Sequence, residues 1–463
     1  MMGLICRGTL GVVVGVSLIV GMSLESNAAG FWNFERGTSV MARGGAVIAS
    51  IDDPIAAYFN PAGLTGSPLF RAQIDANALF DRRAFTRAPD DVNGTGELTS
   101  YDEVVNHFRF DGPSPGVWLS GTFGKAIPGL AWGISLYGPP KGFLKFDADG
   151  PQRYSSIRTT SLQVHSGASL AYAVGPVSVG VTVQNVQQGI RVAQALNLAS
   201  FASQFSSTGV EDPAWDIGLD IEADDPKNLL SIWGLQAELS EEFKIGMSLQ
   251  TRFNVRSEGV ARTTLGDDIP GEVDGDQIKV ALDMPAIARA GIHYAPTGSA
   301  WSFDAGFVYE EWSRAAQIRF RPQGIAFVGA TPEPELIPEI YVKTGFQDAW
   351  SIRFGGTRDF EELDGRLYLG SFYETGASSE LGITPASMDL DKVGISAGWH
   401  QVLAAGISLD FAIAHQEWLT REVTDGQARL IDPLTAEELH PTNNGTFTNR
   451  RTLFHAAVTW QTS

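Results

Sequence analysis

The chain has 463 residues, and 53 acidic against 33 basic side chains leave a net charge of −20. No Lys/Arg cluster offsets this balance, which excludes the phosphate-binding face that a nucleic-acid partner needs. Cys6 is the single cysteine; it falls within a predicted export signal, so the mature chain has no thiol for a disulfide, a thiolate metal site or a cysteine nucleophile.

In chain order, Arg7 precedes an apolar stretch from Gly8 to Leu24, and Ser26-Asn27-Ala28 then offers small residues at a cleavage site. This predicts a signal peptide over 1–28 and a mature chain beginning at Ala29. No later stretch is long and apolar enough for a transmembrane helix. Residues 29–68 are rich in Gly and Ala, do not alternate and carry little aliphatic bulk, which predicts a compact hatch, a plug folded inside whatever follows.

From there on the pattern has period two. Leu130, Trp132, Ile134 and Leu136 alternate with Ala131, Gly133, Ser135 and Tyr137, and Val177, Val179, Val181 and Val183 alternate with Ser178, Gly180, Thr182 and Gln184. One face is apolar and the other small or polar, as in a strand with lipid on one side. Such segments fall near 69–87, 112–124, 130–140, 154–174, 177–190, 228–240, 243–259, 278–295, 300–313, 346–358, 365–376, 391–401, 407–422 and 450–460. Short turns such as Gly175-Pro176 and Glu241-Glu242 alternate with long acidic links such as 191–227, 259–277 and 423–449. The expectation is an all-β fold, a 14-stranded antiparallel transmembrane β-barrel over 69–463 with both ends periplasmic. Aromatic residues near segment ends (Trp118, Tyr137, Trp301, Tyr309, Trp312, Trp350, Trp399, Trp418) read as interfacial girdles.

The residues from Ala29-Gly30-Phe31 through Gly37-Thr38-Ser39-Val40-Met41-Ala42-Arg43-Gly44-Gly45-Ala46 to Asp52-Asp53-Pro54-Ile55-Ala56-Ala57-Tyr58-Phe59-Asn60-Pro61-Ala62-Gly63-Leu64 resemble the N-terminal hatch of the FadL/TodX family. That family transports long-chain fatty acids and aromatic hydrocarbons across the bacterial outer membrane. Leu282-Asp283-Met284-Pro285-Ala286, Glu311-Trp312-Ser313 and the run Ala349-Trp350-Ser351-Ile352-Arg353-Phe354-Gly355-Gly356 also look like the family. The resemblance covers most of the mature chain in layout, and the hatch in motif. It implies a 14-stranded barrel with a hatch, the same count as the alternating segments.

The expected activity is passive, ligand-gated diffusion of hydrophobic compounds, long-chain fatty acids first, with an aromatic-hydrocarbon channel of the same family or a general porin as alternatives. The resemblance carries ligand gating to Ala29, Gly30 and Phe31, and has Asn60, Pro61 and Ala62 hold the hatch against a kinked third strand. Gly138, Pro139 and Pro140 would make that kink, since prolines donate no ladder hydrogen bond, or else mark the strand's end. Leu196, Leu198, Phe201 and Phe205 would give a loop helix an apolar stripe, an outer groove for ligand or a helix packed on its own rim. Arg158, Lys244 or Arg353 could meet a carboxylate, or belong to internal ion pairs.

Other motifs carry less. Gly394-Ile395-Ser396-Ala397-Gly398 matches a nucleophile elbow, but sits in an alternating segment rather than a strand-turn-helix. The seven histidines lack metal spacing. Asp267, Asp268, Glu272, Asp274 and Asp276 do not follow a calcium loop and are read as surface acids facing lipopolysaccharide. No catalytic residue, cofactor or metal is expected. The expected partners are a hydrophobic small molecule and outer-membrane lipid, with the chain acting as a monomer.

Overall fold

A computed structural model describes residues 36–91, 96–107, 110–138, 144–198, 211–329, 333–379, 381–404, 406–431 and 438–462. The predicted signal peptide, Ala29, Gly30, Phe31, Pro139, Pro140, Phe201 and Phe205 lie outside them.

The alternating segments form the wall. Its strands are β1 (Arg71–Arg87), β2 (Phe110–Thr122), β3 (Leu130–Tyr137), β4 (Arg158–Val174), β5 (Val177–Asn197), β6 (Asp216–Glu238) and β7 (Phe243–Gln250 and Phe253–Leu265). There follow β8 (Gln277–Met284 and Ile287–Tyr294), β9 (Trp301–Glu310), β10 (Ala349–Phe360), β11 (Gly365–Glu374), β12 (Lys392–Ala404), β13 (Ile407–Trp418) and β14 (Gly445–Gln461). Each pairs antiparallel with its sequence neighbour, and β1 closes on β14 from Arg71 opposite Gln461 to Arg87 opposite Gly445. The result is a closed 14-strand barrel without a free edge, so every wall strand has a hydrogen-bonding neighbour on both sides in lipid.

The period-two pattern sorts as the sequence predicts. Ile74, Leu170, Val179, Met247, Phe307, Ile395, Phe411 and Phe454 point outward and are exposed. This lipid-facing band ends below in aromatic pairs, Phe70 with Trp460 at 5.6 Å and Phe243 with Tyr294 at 4.5 Å. Above, it ends in exposed ion pairs, Arg82–Glu103, Arg252–Glu311 and Arg256–Asp283.

Several boundaries differ from the sequence expectation. The long link over 191–227 is largely strand: β5 runs to Asn197 and β6 starts at Asp216, so these two stand above the rim. The apolar helix expected after Arg191 is corrected for its described part, because Leu196 belongs to β5; Phe201 and Phe205 lie outside the described residues. The segments 243–259 and 278–295 each break once, at Thr251-Arg252 and at Pro285-Ala286. The two breaks face one another, since Gln250 pairs Ile287 and Phe253 pairs Met284. Proline at 285 has no N–H for the ladder, which explains why the break falls there.

Residues 36–68 fill the lower lumen. Helix α1 (Thr38–Ala42), helix α2 (Ala56–Phe59) and a 3-10 turn (Pro61–Gly66) are too short to be stable alone. Their stability comes from burial: Val40, Val47, Ile55, Ala56, Ala62 and Leu64 have at most 1% of their surface exposed.

Candidate functional site

The hatch backbone lies directly on the wall, and glycine makes this possible. A Cβ on Gly180 would sit 2.5 Å from the Pro61 carbonyl carbon, one on Gly246 2.2 Å from the Ile48 oxygen, and one on Gly370 2.1 Å from the Gly44 nitrogen. These positions fall into cross-strand rows: Gly180 faces Gly234, Gly246 faces Gly291, Gly291 faces Gly306, and Gly355 faces Gly370. The small-residue face of the alternating pattern is thus a seat for the hatch. The sequence carried this signal as one glycine on the polar face of most segments. Ser396 is part of the same seat: its hydroxyl donates to the Ala42 carbonyl at 3.0 Å, and Gly398 is pressed by the Ala42 side chain. The nucleophile-like motif therefore lies mid-strand in β12, occupied with the hatch.

Asn60 organises the hatch from within. Its amide donates to the Ile48 carbonyl at 2.8 Å and the Leu235 carbonyl at 3.0 Å, and its oxygen caps Ala62 N at 3.3 Å. Asn60, Pro61 and Ala62 therefore press on β5 and β6, which corrects the expectation that they meet the third strand. Leu64 and Tyr58 are hatch residues that reach β3: Leu64 lies 3.1 Å from where a Gly133 Cβ would be, and the Tyr58 ring meets Tyr137 edge-on at 5.5 Å.

The third strand is held by Arg36 instead. Its guanidinium donates to the Gly138 carbonyl at 2.7 Å, the Ser114 carbonyl at 3.2 Å and Asp75 Oδ1 at 2.6 Å. The Trp118 indole donates to the other Asp75 oxygen at 3.2 Å. Tyr137 stacks between Trp118 at 4.5 Å and His165 at 4.8 Å, and its hydroxyl donates to Gln184 at 3.0 Å. Regular pairing of β3 with β4 ends at Tyr137 opposite His165 and resumes at Leu144 opposite Thr159. Residues 139–143, between these two stretches, lie outside the described residues. A hatch arginine thus grips the carbonyl of Gly138, one residue past the regular pairing.

Above the hatch the β5–β8 side of the lumen is mainly apolar. A cavity of about 220 Å³ is lined by Ile190, Val192, Leu196, Ile217, Ile221, Ala261, Ile278, Val280, Leu282, Met284 and Phe320 on and beside β5–β8. Leu196 faces this cavity, while Leu198 is fully buried against Trp215, Ile217 and Phe327. Both lie inside the extracellular structure, not on an outer groove.

Of the expected carboxylate partners, Arg158 is half-exposed and paired with Asp220 at 2.7 Å, and Lys244 stands at the periplasmic mouth, 2.5 Å from Glu238. Arg353 is buried and bridges Glu374 and the Gly44 carbonyl. Each sits in an ion pair. Lys392 extends the Arg353 pair, lying 2.9 Å from Glu374 and 2.7 Å from Asp389. This four-member network was not legible in the sequence, because Arg353 and Glu374 lie 21 residues apart and reach Lys392 and Asp389 only once their strands are neighbours.

A closed strand barrel with an apolar band, a lumen sealed by an N-terminal hatch and an apolar cavity above it define a channel of the bacterial outer membrane for hydrophobic compounds. Residues 19–452 match the family model for outer membrane protein transport protein (OMPP1/FadL/TodX), and the chain belongs to this family. In fold it is similar to a FadL homologue of Pseudomonas aeruginosa, with 18% identity, a TM-score of 0.74 and coverage of 92% of this chain and 98% of that one. It is also similar to the toluene transporter TbuX of Ralstonia pickettii (14% identity, TM-score 0.63, coverage 94% and 100%). The toluene transporter TodX of Pseudomonas putida is a third such structure (13%, 0.65, 95% and 99%). No curated protein matches the chain in sequence.

Proposed function

We propose that this channel carries long-chain fatty acids or similarly shaped lipophiles by passive, ligand-gated diffusion, with lateral exit beside the end of β3 at Gly138, Pro139 and Pro140. The observation that carries this reading is Arg36, which couples the hatch to the Gly138 carbonyl. A hatch rearrangement that withdrew Arg36 would free the strand just past its regular pairing with β4. On this reading Gly138, Pro139 and Pro140 are the site of the opening, since prolines lack the N–H donors of a strand ladder. Ala29, Gly30 and Phe31 precede Arg36 by only a few residues, so a ligand contacting them would pull on the same segment.

The cavity above supplies affinity without special chemistry, since each buried CH₂ contributes about 0.8 kcal/mol. The toluene transporters among the similar folds favour a second reading, uptake of aromatic hydrocarbons. A general porin is disfavoured by a hatch packed against the wall backbone. An enzyme is disfavoured because Ser396 is spent on the hatch.

The deciding measurement is binding of oleate and toluene to the purified mature barrel, and to a form lacking residues 29–31. Saturable oleate binding that weakens at least tenfold in the shortened form is expected. Toluene binding alone would move the chain to hydrocarbon uptake. No binding of either, with high ion conductance, would make it a porin.

A further inference from the structure

The wall carries a seam on β7–β9, away from the third strand. The breaks in β7 and β8, at Thr251-Arg252 and Pro285-Ala286, lie opposite each other. Backbone groups on its two sides bond away from it. Thr251 N donates to the Ser231 carbonyl of β6 at 2.9 Å, and the Ala286 carbonyl accepts from Glu311 N at 3.0 Å. Below the seam β8 pairs with β9, whereas its upper part, Gln277–Met284, pairs with a different strand, Gln317–Pro322. Strand β9 stops at Glu310, opposite Ile287, and the turn Trp312–Ala315 follows. The discontinuity thus crosses three neighbouring strands at one height.

Side chains close it. Outside, Arg252 reaches past β8 to Glu311, with Nε and Nη2 2.5 and 2.6 Å from the two carboxylate oxygens. The Arg252 side chain is half-exposed, and an exposed pair of this kind holds weakly. Inside, Phe253, Met284, Trp312 and Phe346 pack in one buried cluster. Parting the seam strands neither Thr251 N nor the Ala286 carbonyl, and Pro285 has no N–H to lose.

An apolar space lies on each side. Leu282 and Met284, directly above the break, line the apolar cavity of the lumen. Leu249 and Ala288, directly below it, line a shallow groove of about 790 Å³ on the outer surface, with Trp233, Met247, Ala290 and Phe307. Trp233, Met247, Leu249 and Phe307 are exposed on the lipid-facing band, so hydrocarbon chains of the bilayer are what covers the groove. Only the stretch from the Leu249–Ala288 pair to the Phe253–Met284 pair separates the two spaces, about 13 Å of strand. The Arg252–Glu311 pair stands at the upper edge of the band, at the level of the outer leaflet.

We infer that the seam is a side port, through which a lipophile dissolved in the outer leaflet passes from the groove into the cavity when Arg252 and Glu311 part. This rests on the channel reading above and gives it a membrane-dissolved alkyl chain as cargo. Burial of each CH₂ favours the leaflet over water, so such a chain reaches the wall from the side. The port lies on other strands than the proposed exit at Gly138 and runs inward rather than outward.

A removable bridge tests it. Cys6, the single cysteine, falls in the predicted signal peptide, so Arg252→Cys/Glu311→Cys supplies the only thiols of the mature chain. One sample is bridged with a short bismaleimide, and the other is capped with N-ethylmaleimide. Each is placed in a phosphatidylcholine nanodisc with hexadecanol carrying a terminal diazirine. The initial rate of photolabelling at Leu282 and Met284 is then read by mass spectrometry. With the probe dissolved in the lipid, bridging is expected to slow labelling at least fivefold. With the probe delivered from cyclodextrin in water and irradiated at once, both samples should label alike. Ala288→Phe, which fills the groove from the lipid side, should slow the lipid route a few-fold. Equal rates from lipid in the bridged and capped samples would overturn the port and leave the channel standing. Conversion of a dimer to a monomer by Ala288→Phe would give the groove to a second copy and overturn it too. No labelling of the cavity by either route would remove the channel reading as well.

Discussion

The lower and upper halves of the lumen are built on opposite principles. Below, hatch and wall meet backbone to backbone across glycines, and polar contacts such as Arg36 with Gly138 and Asn60 with Leu235 fix the fit. Above, aliphatic side chains of β5–β8 leave a cavity of about 220 Å³ unfilled. A seal needs close packing, where even one added methylene is felt, whereas a carrier pocket needs apolar surface that its own chain does not cover. The difference teaches that small residues on a barrel's inner face can mark the seal, and branched aliphatics the path.

Three changes test that contrast, the largest first. Arg36→Met leaves Asp75 buried and half-partnered and frees the Gly138 carbonyl. Removing one member of such a buried pair costs about 3–5 kcal/mol, so the thermal transition followed by heat-dependent gel mobility should drop, and hydrogen exchange at Tyr137 and Gly138 should rise. Unchanged exchange there would break the proposed coupling of hatch and strand. Gly370→Ala should cost about 1–3 kcal/mol, because the new methyl meets Arg43 and Gly44 backbone that has no room to move. Gly356→Ala, one residue past the seat on β10 with nothing within 4 Å, is the control and should be near neutral. Equal effects would show that the hatch does not rest on the glycine rows.

The smallest effect concerns the extracellular cover of the cavity. Glu211 takes both Arg87 nitrogens at 2.7 Å and lies 2.6 Å from His440 Nε2, tying two loops to the top of β1. Burial opposes its charge, but the hydrogen bonds from His440 and Arg87 and the Arg87 charge prevail and bring its pKa down to about 2. A depressed carboxylate stabilises above its unfolded value, about 4.5, and that support is lost as pH falls toward 2. Exchange protection of residues 438–442 should therefore hold from neutral pH to about 4.5 and decline below it, whereas protection of the hatch should not follow the same curve. Glu211→Gln should remove the dependence.

Much of this molecule was legible from its sequence. Alternation over segments such as Leu130–Tyr137 dictates a strand with one lipid face, because side chains point to opposite sides at each residue and lipid accepts only one kind. Fourteen such segments with short and long links in turn set the barrel, and the irregular Gly/Ala-rich stretch behind a predicted export signal pointed to the hatch. Strand heights were not legible: the upper parts of β5 and β6 stand above the lipid band, where no lipid imposes a pattern on their outer face. Nor was it legible that Asn60 presses on β6 while Arg36 reaches β3, or that the breaks of β7 and β8 line up. Those pairings depend on which strands become neighbours on closure and how far each is staggered. Local periodicity determines the faces of a strand, but only the closed barrel decides which side chains share the space inside it.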